Sequence, residues 1–218
     1  MTIPAFSFVL VPLIDKLIGR DTENFSEGLY IKLEKSQFYN WLLIFIFFGV
    51  LGSLYSSLWV FTHYEFSLYE TLGLIFSLGL VTGGMGITLA HELGHRKEKT
   101  YQVMAKVLLV HVGYGHFFVE HNKGHHRHVS TEKDPASSRF GESLYRFLPR
   151  TLIGSYKSAF QLGYFDRQKK VFWKNQTMIM TLLTTFFAFL FWFLGGEKGL
   201  ILFLTQALLA VLFLEIIN

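Results

Sequence analysis

The chain contains no cysteine. Disulfides, thiolate metal ligands and cysteine-held iron–sulfur centres are therefore excluded within it, and electrons for any redox reaction must arrive from another molecule. A cleavable secretory signal is also missing, because MTIPAFSFVLVPLIDKLIGR lacks a basic start and a small-residue cleavage site. Its apolar part, Ile3 to Ile14, is too short to span a bilayer and is expected to be the last turns of a spanning helix. No internal repeat or low-complexity tract appears. Charge is absent from several long stretches, and these decide the class. Of the 218 residues, 51% are hydrophobic and 24 are Phe, with a mean hydropathy of +0.35. That composition describes a membrane protein of one domain rather than a soluble globule, and no nucleic-acid partner is expected.

A spanning helix needs about 20 predominantly apolar residues. Four segments are read as spans, at about 41–61, 69–91, 178–194 and 199–217. The polar stretch 62–70 and the tight linker GGEKG join them pairwise, so the expected fold is an all-α polytopic membrane bundle with two helical hairpins. Of the 20 Lys and Arg, 15 lie between Arg96 and Lys174. The positive-inside rule places the region of about 96–174 in the cytoplasm and both tight loops outside. Residues 103–119 are apolar but interrupted by Lys106, His111 and His116. A span there would put the histidines on opposite sides of the membrane, so this segment is expected to lie along or dip into the cytoplasmic face.

Seven of the nine His fall between 91 and 126. HELGH places His91 and His95 one helical turn apart, and EHNKGHH repeats that spacing with His121 and His125, followed by His126. Neutral imidazole is the commonest metal ligand, so five such rings at the end of uncharged spans point to a metal site. His111 has no spacing partner and is expected to be an ordinary surface or core residue. Two metals stay open at this point. HELGH is the H-E-x-x-H motif of zinc metalloproteases, with Glu92 as base. Many neutral nitrogens without thiolate suit iron, and a cluster larger than one ion needs suits two. Glu92, Glu120 and Asp134 are each read either as acceptors for a ligand His N–H or as ordinary charges.

HELGHRKE (91–98), GYGHFFVEHNKGHH (113–126) and DPASSRFGESLYRF (134–147) closely resemble the integral-membrane alkane hydroxylases, the alkane 1-monooxygenases of the AlkB type. PLIDKLIGRDTEN (12–24) and LEKSQFY (33–39) are similar to that family's stretch before its third span. The two His boxes alone are shared with membrane desaturases and xylene-type hydroxylases. The resemblance implies a six-span enzyme of the bacterial inner membrane with a His-ligated di-iron centre on the cytoplasmic side. It implies terminal hydroxylation of a medium- or long-chain alkane drawn from the membrane lipid, using O2 and electrons from rubredoxin and its NAD(P)H-dependent reductase. Carried over by position, the iron ligands are His91, His95, His121, His125 and His126, and His116 takes a supporting position beside them. The family's further His ligands follow its sixth span, whereas this chain ends at LEIIN, so it is expected to be incomplete at both ends and inactive alone. A non-catalytic remnant is the third reading. Most basic residues are expected to serve topology, with Arg146, Arg150 or Lys169 as candidate rubredoxin contacts and Arg139 pairing with Glu142 as a local brace.

Overall fold

Among the described residues of the computed structural model, three helices are long and apolar enough to cross a membrane: Gln37–His63, Leu68–Gly94 and Gln176–Ile217. The structure describes residues 2–19, 26–34, 36–164 and 171–217. We number the helices α1 (2–18), α2 (Glu27–Glu34), α3 (Gln37–His63), α4 (Leu68–Gly94), α5 (Lys99–His111), α6 (117–128), α7 (Leu144–Leu162) and α8 (Gln176–Ile217). Among the described residues there is no strand, only one isolated bridge between Tyr164 and Asn175. This is an integral membrane protein with the expected all-α bundle.

The ends of the long helices follow local chemistry. Ser36 caps α3 by accepting from the Phe38 N–H at 3.3 Å. Ser67 and Glu70 form a capping box at the start of α4, in which Glu70 Oε2 accepts from the Ser67 N–H at 2.9 Å. Helix α8 is two helices joined at Gly196, whose φ of 59° and ψ of −147° fall in a region open essentially to glycine alone. The arms 176–195 and 197–217 fold back on each other, with the Phe191 and Phe203 rings 5.2 Å apart and Gly199 pressed against the Phe191 carbonyl. Two hairpins thus form where the apolar runs suggested, each arm extended a few residues by its cap or turn. The hairpin turns lie side by side: Lys198 Nζ donates to Glu65 Oε1 at 3.1 Å, and a Cβ on Gly195 would meet Thr62 Cγ2 at 2.5 Å.

The segment 103–119 forms no span. Helix α5 has 13 residues, about 20 Å at 1.5 Å per residue, and stops at His111 because Gly113 turns the chain with φ +68°. Its buried face, Ala105, Leu108 and Leu109, packs into a core with Ile87, Leu93 and Ala210. A second core, nearer the turns, joins Leu54, Leu58, Leu78, Phe191 and Leu202. Between the two runs a polar seam. The fully buried Gln206 donates to the His111 carbonyl at 2.8 Å and accepts from Thr82 Oγ1 at 2.8 Å. His111 Nδ1 lies 2.7 Å from the Val107 carbonyl, which makes it the N–H nitrogen, so Nε2 accepts from Tyr55 Oη at 2.9 Å. Every polar group of the seam has a partner, as burial in an apolar interior requires. His111 is buried, one of the two ordinary placements that its lone position left open. Short α6 and amphipathic α7 cover the bundle end opposite the turns.

Candidate metal centre

His91 and His95 leave α4 on one face, one turn apart, with their Nε2 atoms 3.3 Å from each other. His121 comes from α6, and its ring centroid lies 4.5 Å from that of His91. The chain from His121 to His125 is a π-turn, in which the His126 N–H bonds to the His121 carbonyl five residues back. That wider turn changes which ring joins the cluster. Helical spacing puts His125 over His121, but the π-turn carries His126 round until its Nε2 is 2.9 Å from His121 Nε2. His91, His95, His121 and His126 each offer a ligand nitrogen, and these atoms lie within 4.8 Å of one another. His125 stacks on His121 at 5.3 Å, outside this group of four.

Glu120 packs against the π-turn at Gly124. Glu120 is buried and its Oε1 accepts from Ser158 Oγ at 3.2 Å. It fills the space that a side chain on Gly124 would need, so that residue must be glycine. Burial, with Asp134 nearby, raises the Glu120 carboxyl above its ordinary range. π-turns of this kind occur frequently at functional sites.

Asp134 is the second organiser. Its buried carboxylate accepts from His125 Nδ1 at 2.9 Å, from Ser137 Oγ at 2.6 Å and from the Ala136 N–H at 3.0 Å. The first bond fixes the His125 tautomer and leaves Nε2 as the unprotonated nitrogen. Glu92 behaves differently: its Oε1 pairs with Arg96 at 3.2 Å, exposed on the helix surface. It touches no His ring and is not aimed at the cluster as a metalloprotease base would be. His116 lies between the rings of Tyr114 and Tyr156, at 4.6 and 5.2 Å, and makes no contact with the four-ring group.

Arg139 and Glu142 do pair locally, and Arg150 supplies the side-chain brace. Glu142 accepts from Arg150 Nε at 2.7 Å and Nη2 at 2.5 Å, while Arg150 also donates to the carbonyls of Pro135 and Ser137. Arg139 gives Glu142 its backbone N–H at 3.1 Å, accepts from the Glu142 N–H at 2.9 Å, and its charge adds to the lowering of the Glu142 carboxyl. Arg150 holds Glu142 down to about 2 and locks the loop that presents Asp134. A guanidinium with this many partners is not a free docking charge. Arg146 is exposed, and Lys169 lies outside the described residues. Neither Arg150 nor Ser158 was singled out as a support from sequence, since their partners are 8 and 38 residues away.

The cluster fits a divalent transition metal. Nitrogens about 2.0–2.1 Å from one ion sit roughly 3.3 Å apart in a tetrahedral set, close to the separations here. Burial, reinforced by the positive charge that neighbouring rings would share, pushes His121 down to about 3 and lowers His126. Both shifts favour the neutral imidazole, the form that binds metal. All-imidazole ligation without thiolate suits iron and also zinc.

Comparison with known proteins gives a consistent set of relatives. Residues 67–218 match the family model described as fatty acid desaturase. The chain is 46% identical over 156 residues to alkane 1-monooxygenase 1 of Alcanivorax borkumensis, covering 70% of this chain and 38% of the relative. It is 43% identical over 156 residues to alkane 1-monooxygenase of Pseudomonas putida, with the same coverage. Over 219 residues it is 36% identical to alkane 1-monooxygenase 2 of A. borkumensis, covering 98% of this chain and 57% of the relative. The chain thus spans between 38% and 57% of the length of these curated relatives.

Proposed function

The chain belongs to the fatty acid desaturase family, and from that premise we propose that it is the core of an alkane 1-monooxygenase. The reaction is hydroxylation of the terminal methyl of a medium- or long-chain alkane to a 1-alkanol, with O2 as oxidant. Electrons come from rubredoxin, reduced by an NAD(P)H-dependent reductase. The enzyme sits in the bacterial inner membrane with its histidine end in the cytoplasm, which the 15 basic residues of 96–174 support. The observation that carries the proposal is the convergence of His91, His95, His121 and His126 beneath a bundle of apolar helices.

In this reading two irons, when bound, supply the oxygen-activating redox chemistry. The four clustered imidazoles and His125 hold them, and further ligands come from the part of the relatives' length that this chain does not span. Asp134 keeps His125 turned with its unprotonated nitrogen free, and Glu120 maintains the π-turn that brings His126 in. The apolar helices admit an alkane directly from the bilayer and keep water from the reacting carbon. Holding the methyl at one position near the metal gives both rate and terminal selectivity.

The test is iron content and isotope incorporation in the full-length, membrane-extracted protein. We expect iron in preference to zinc, lost in His91→Ala. With rubredoxin, its reductase and dodecane supplied under 18O2, labelled 1-dodecanol identifies a catalytic core. Zinc retained in preference to iron contradicts the proposal, and peptide cleavage abolished by Glu92→Gln would replace it with the protease.

A further inference from the structure

Glu215 is the only charged side chain between Gly199 and Ile217, and it is buried near the end of α8. A carboxylate in an apolar span is costly unless hydrogen bonds replace its water. Two donors do so. Thr151 Oγ1 on α7 donates to Oε2 at 2.8 Å, and Tyr114 Oη, also buried, donates to Oε1. The first bond by itself ties α8 to α7. The second reaches elsewhere, because Tyr114 begins a ladder of four nearly parallel rings. Tyr114 stacks on Phe117 with centroids 5.5 Å apart and planes 24° from parallel. Phe117 stacks on His121 at 4.7 Å and 21°, and His121 on His125 at 5.3 Å and 17°. Phe117, His121 and His125 are each four residues apart, the spacing that brings side chains over one another along a helix face. A buried carboxylate holds each end of the ladder: Glu215 at Tyr114, and Asp134 at His125 Nδ1, 2.9 Å away.

His121 is the rung that the metal cluster shares. Its Nε2 lies 2.9 Å from that of His126, and its ring centroid 4.5 Å from that of His91. A ligating imidazole is ordinarily oriented by an acceptor on its second nitrogen. His125 has one in Asp134, whereas among the described residues His121 is paired with no carboxylate. Its orientation must come from the rings stacked on it. We propose that Glu215 and Tyr114 are positioning residues for the metal centre: their bond pins the first ring of the ladder and, through Phe117, sets the plane of the His121 imidazole. The inference rests on the metal reading above. A metal bonds in the plane of the imidazole, so a tilt of that plane weakens the bond without moving any ligand away. The second arm of α8 thereby governs the centre although Glu215 is not among the clustered side chains.

The test is a cobalt(II) titration of the full chain in nanodiscs against a competing chelator, read as affinity and as ligand-field absorption. Tyr114→Phe keeps the ring and removes the bond. We expect affinity about three- to tenfold lower, short of the 10–100-fold typical of a partner bonded directly to a ligand, together with a displaced absorption band. Phe117→Leu removes the next rung and should do at least as much. Combining the two should be no worse than Phe117→Leu alone, because a broken ladder transmits nothing. Glu215→Gln keeps an oxygen acceptor for Tyr114 and should stay within about twofold of the unaltered protein. Gln206→Leu loosens the bundle away from the ladder and should change neither reading. Unchanged affinity and absorption in Tyr114→Phe, additive losses in the double variant, or an equal loss in Gln206→Leu overturns the proposal. A loss in Glu215→Gln as large as that in Tyr114→Phe overturns it too, since charge and not the bond would then be acting. An unaltered chain that takes up no cobalt overturns the metal reading itself, and the ladder's role with it.

Discussion

The two ends of the bundle are built from different materials. At the turn end the chain reverses twice using glycine, a capping box and one exposed ion pair, Glu65 with Lys198. Nothing there is buried and charged. At the opposite end, three buried carboxylates organise the structure: Glu120 bonds to Ser158, Asp134 to His125, and Glu215 to Tyr114 and Thr151. Burying a carboxylate is expensive unless it is hydrogen-bonded, so a cluster of them at one end is a commitment that folding alone does not demand. The turn end closes the bundle, whereas the histidine end is shaped to hold something.

That contrast can be broken by substitution. The largest effect is expected at the centre itself. His121→Ala should weaken iron binding by more than about a hundredfold, beyond the 10–100-fold typical of supporting partners, while His63→Ala at the turn end leaves it unchanged. Calorimetric or chelator-competition titration of purified protein measures both. Asp134→Asn comes next. It keeps the shape and removes the charge that fixes His125, and affinity should fall about 10–100-fold in the same titration. Gln206→Leu, in the polar seam between the ends, strands the His111 carbonyl, while the Thr82 hydroxyl keeps its bond to the Leu78 carbonyl. It should cost about 1–3 kcal/mol of stability in a detergent-unfolding titration without altering metal affinity.

Acid separates the groups further. Folded His116 titrates near 4, against 6.5 for an exposed ring. Below pH 6.5 the unfolded chain therefore binds a proton that the folded one refuses, and stability of the metal-free protein should fall as pH drops from 6.5 to 4. Glu142 works in the same direction at lower pH. Its carboxyl is held at about 2 by Arg150, so its contribution is complete above 4.5 and disappears only as pH falls toward 2. A pH series of unfolding titrations, with His116→Phe as reference, resolves the first change. The smallest effect belongs to the turn end: Glu65→Gln breaks a solvent-exposed pair and should shift stability by no more than about 0.5 kcal/mol.

Much of this was legible in the sequence where the signal was local. Uncharged runs located both hairpins, because length and hydropathy are properties of contiguous residues. HELGH placed His91 and His95 side by side, because one helical turn is a fixed geometry. Asp134 was among the candidate supports and does hold a histidine. The sequence could not show the π-turn, in which a buried Glu120 packs against Gly124. As a result His126, not His125, closes on His121. Arg150 looked like a surface charge available to a partner protein until its bonds to Glu142, Pro135 and Ser137 placed it inside the loop that presents Asp134. Glu92 shows the converse: a familiar motif suggested a base, but its carboxylate spends itself on Arg96.

The central claim is that imidazoles from α4 and α6 bind metal as one set. X-ray absorption at the iron edge, on iron-loaded protein in nanodiscs, tests it most directly. The account predicts a nitrogen- and oxygen-only inner shell with imidazole outer-shell scattering that is lost in both His91→Ala and His121→Ala. An unchanged spectrum in either variant, or a wild-type chain that retains no iron, would contradict it.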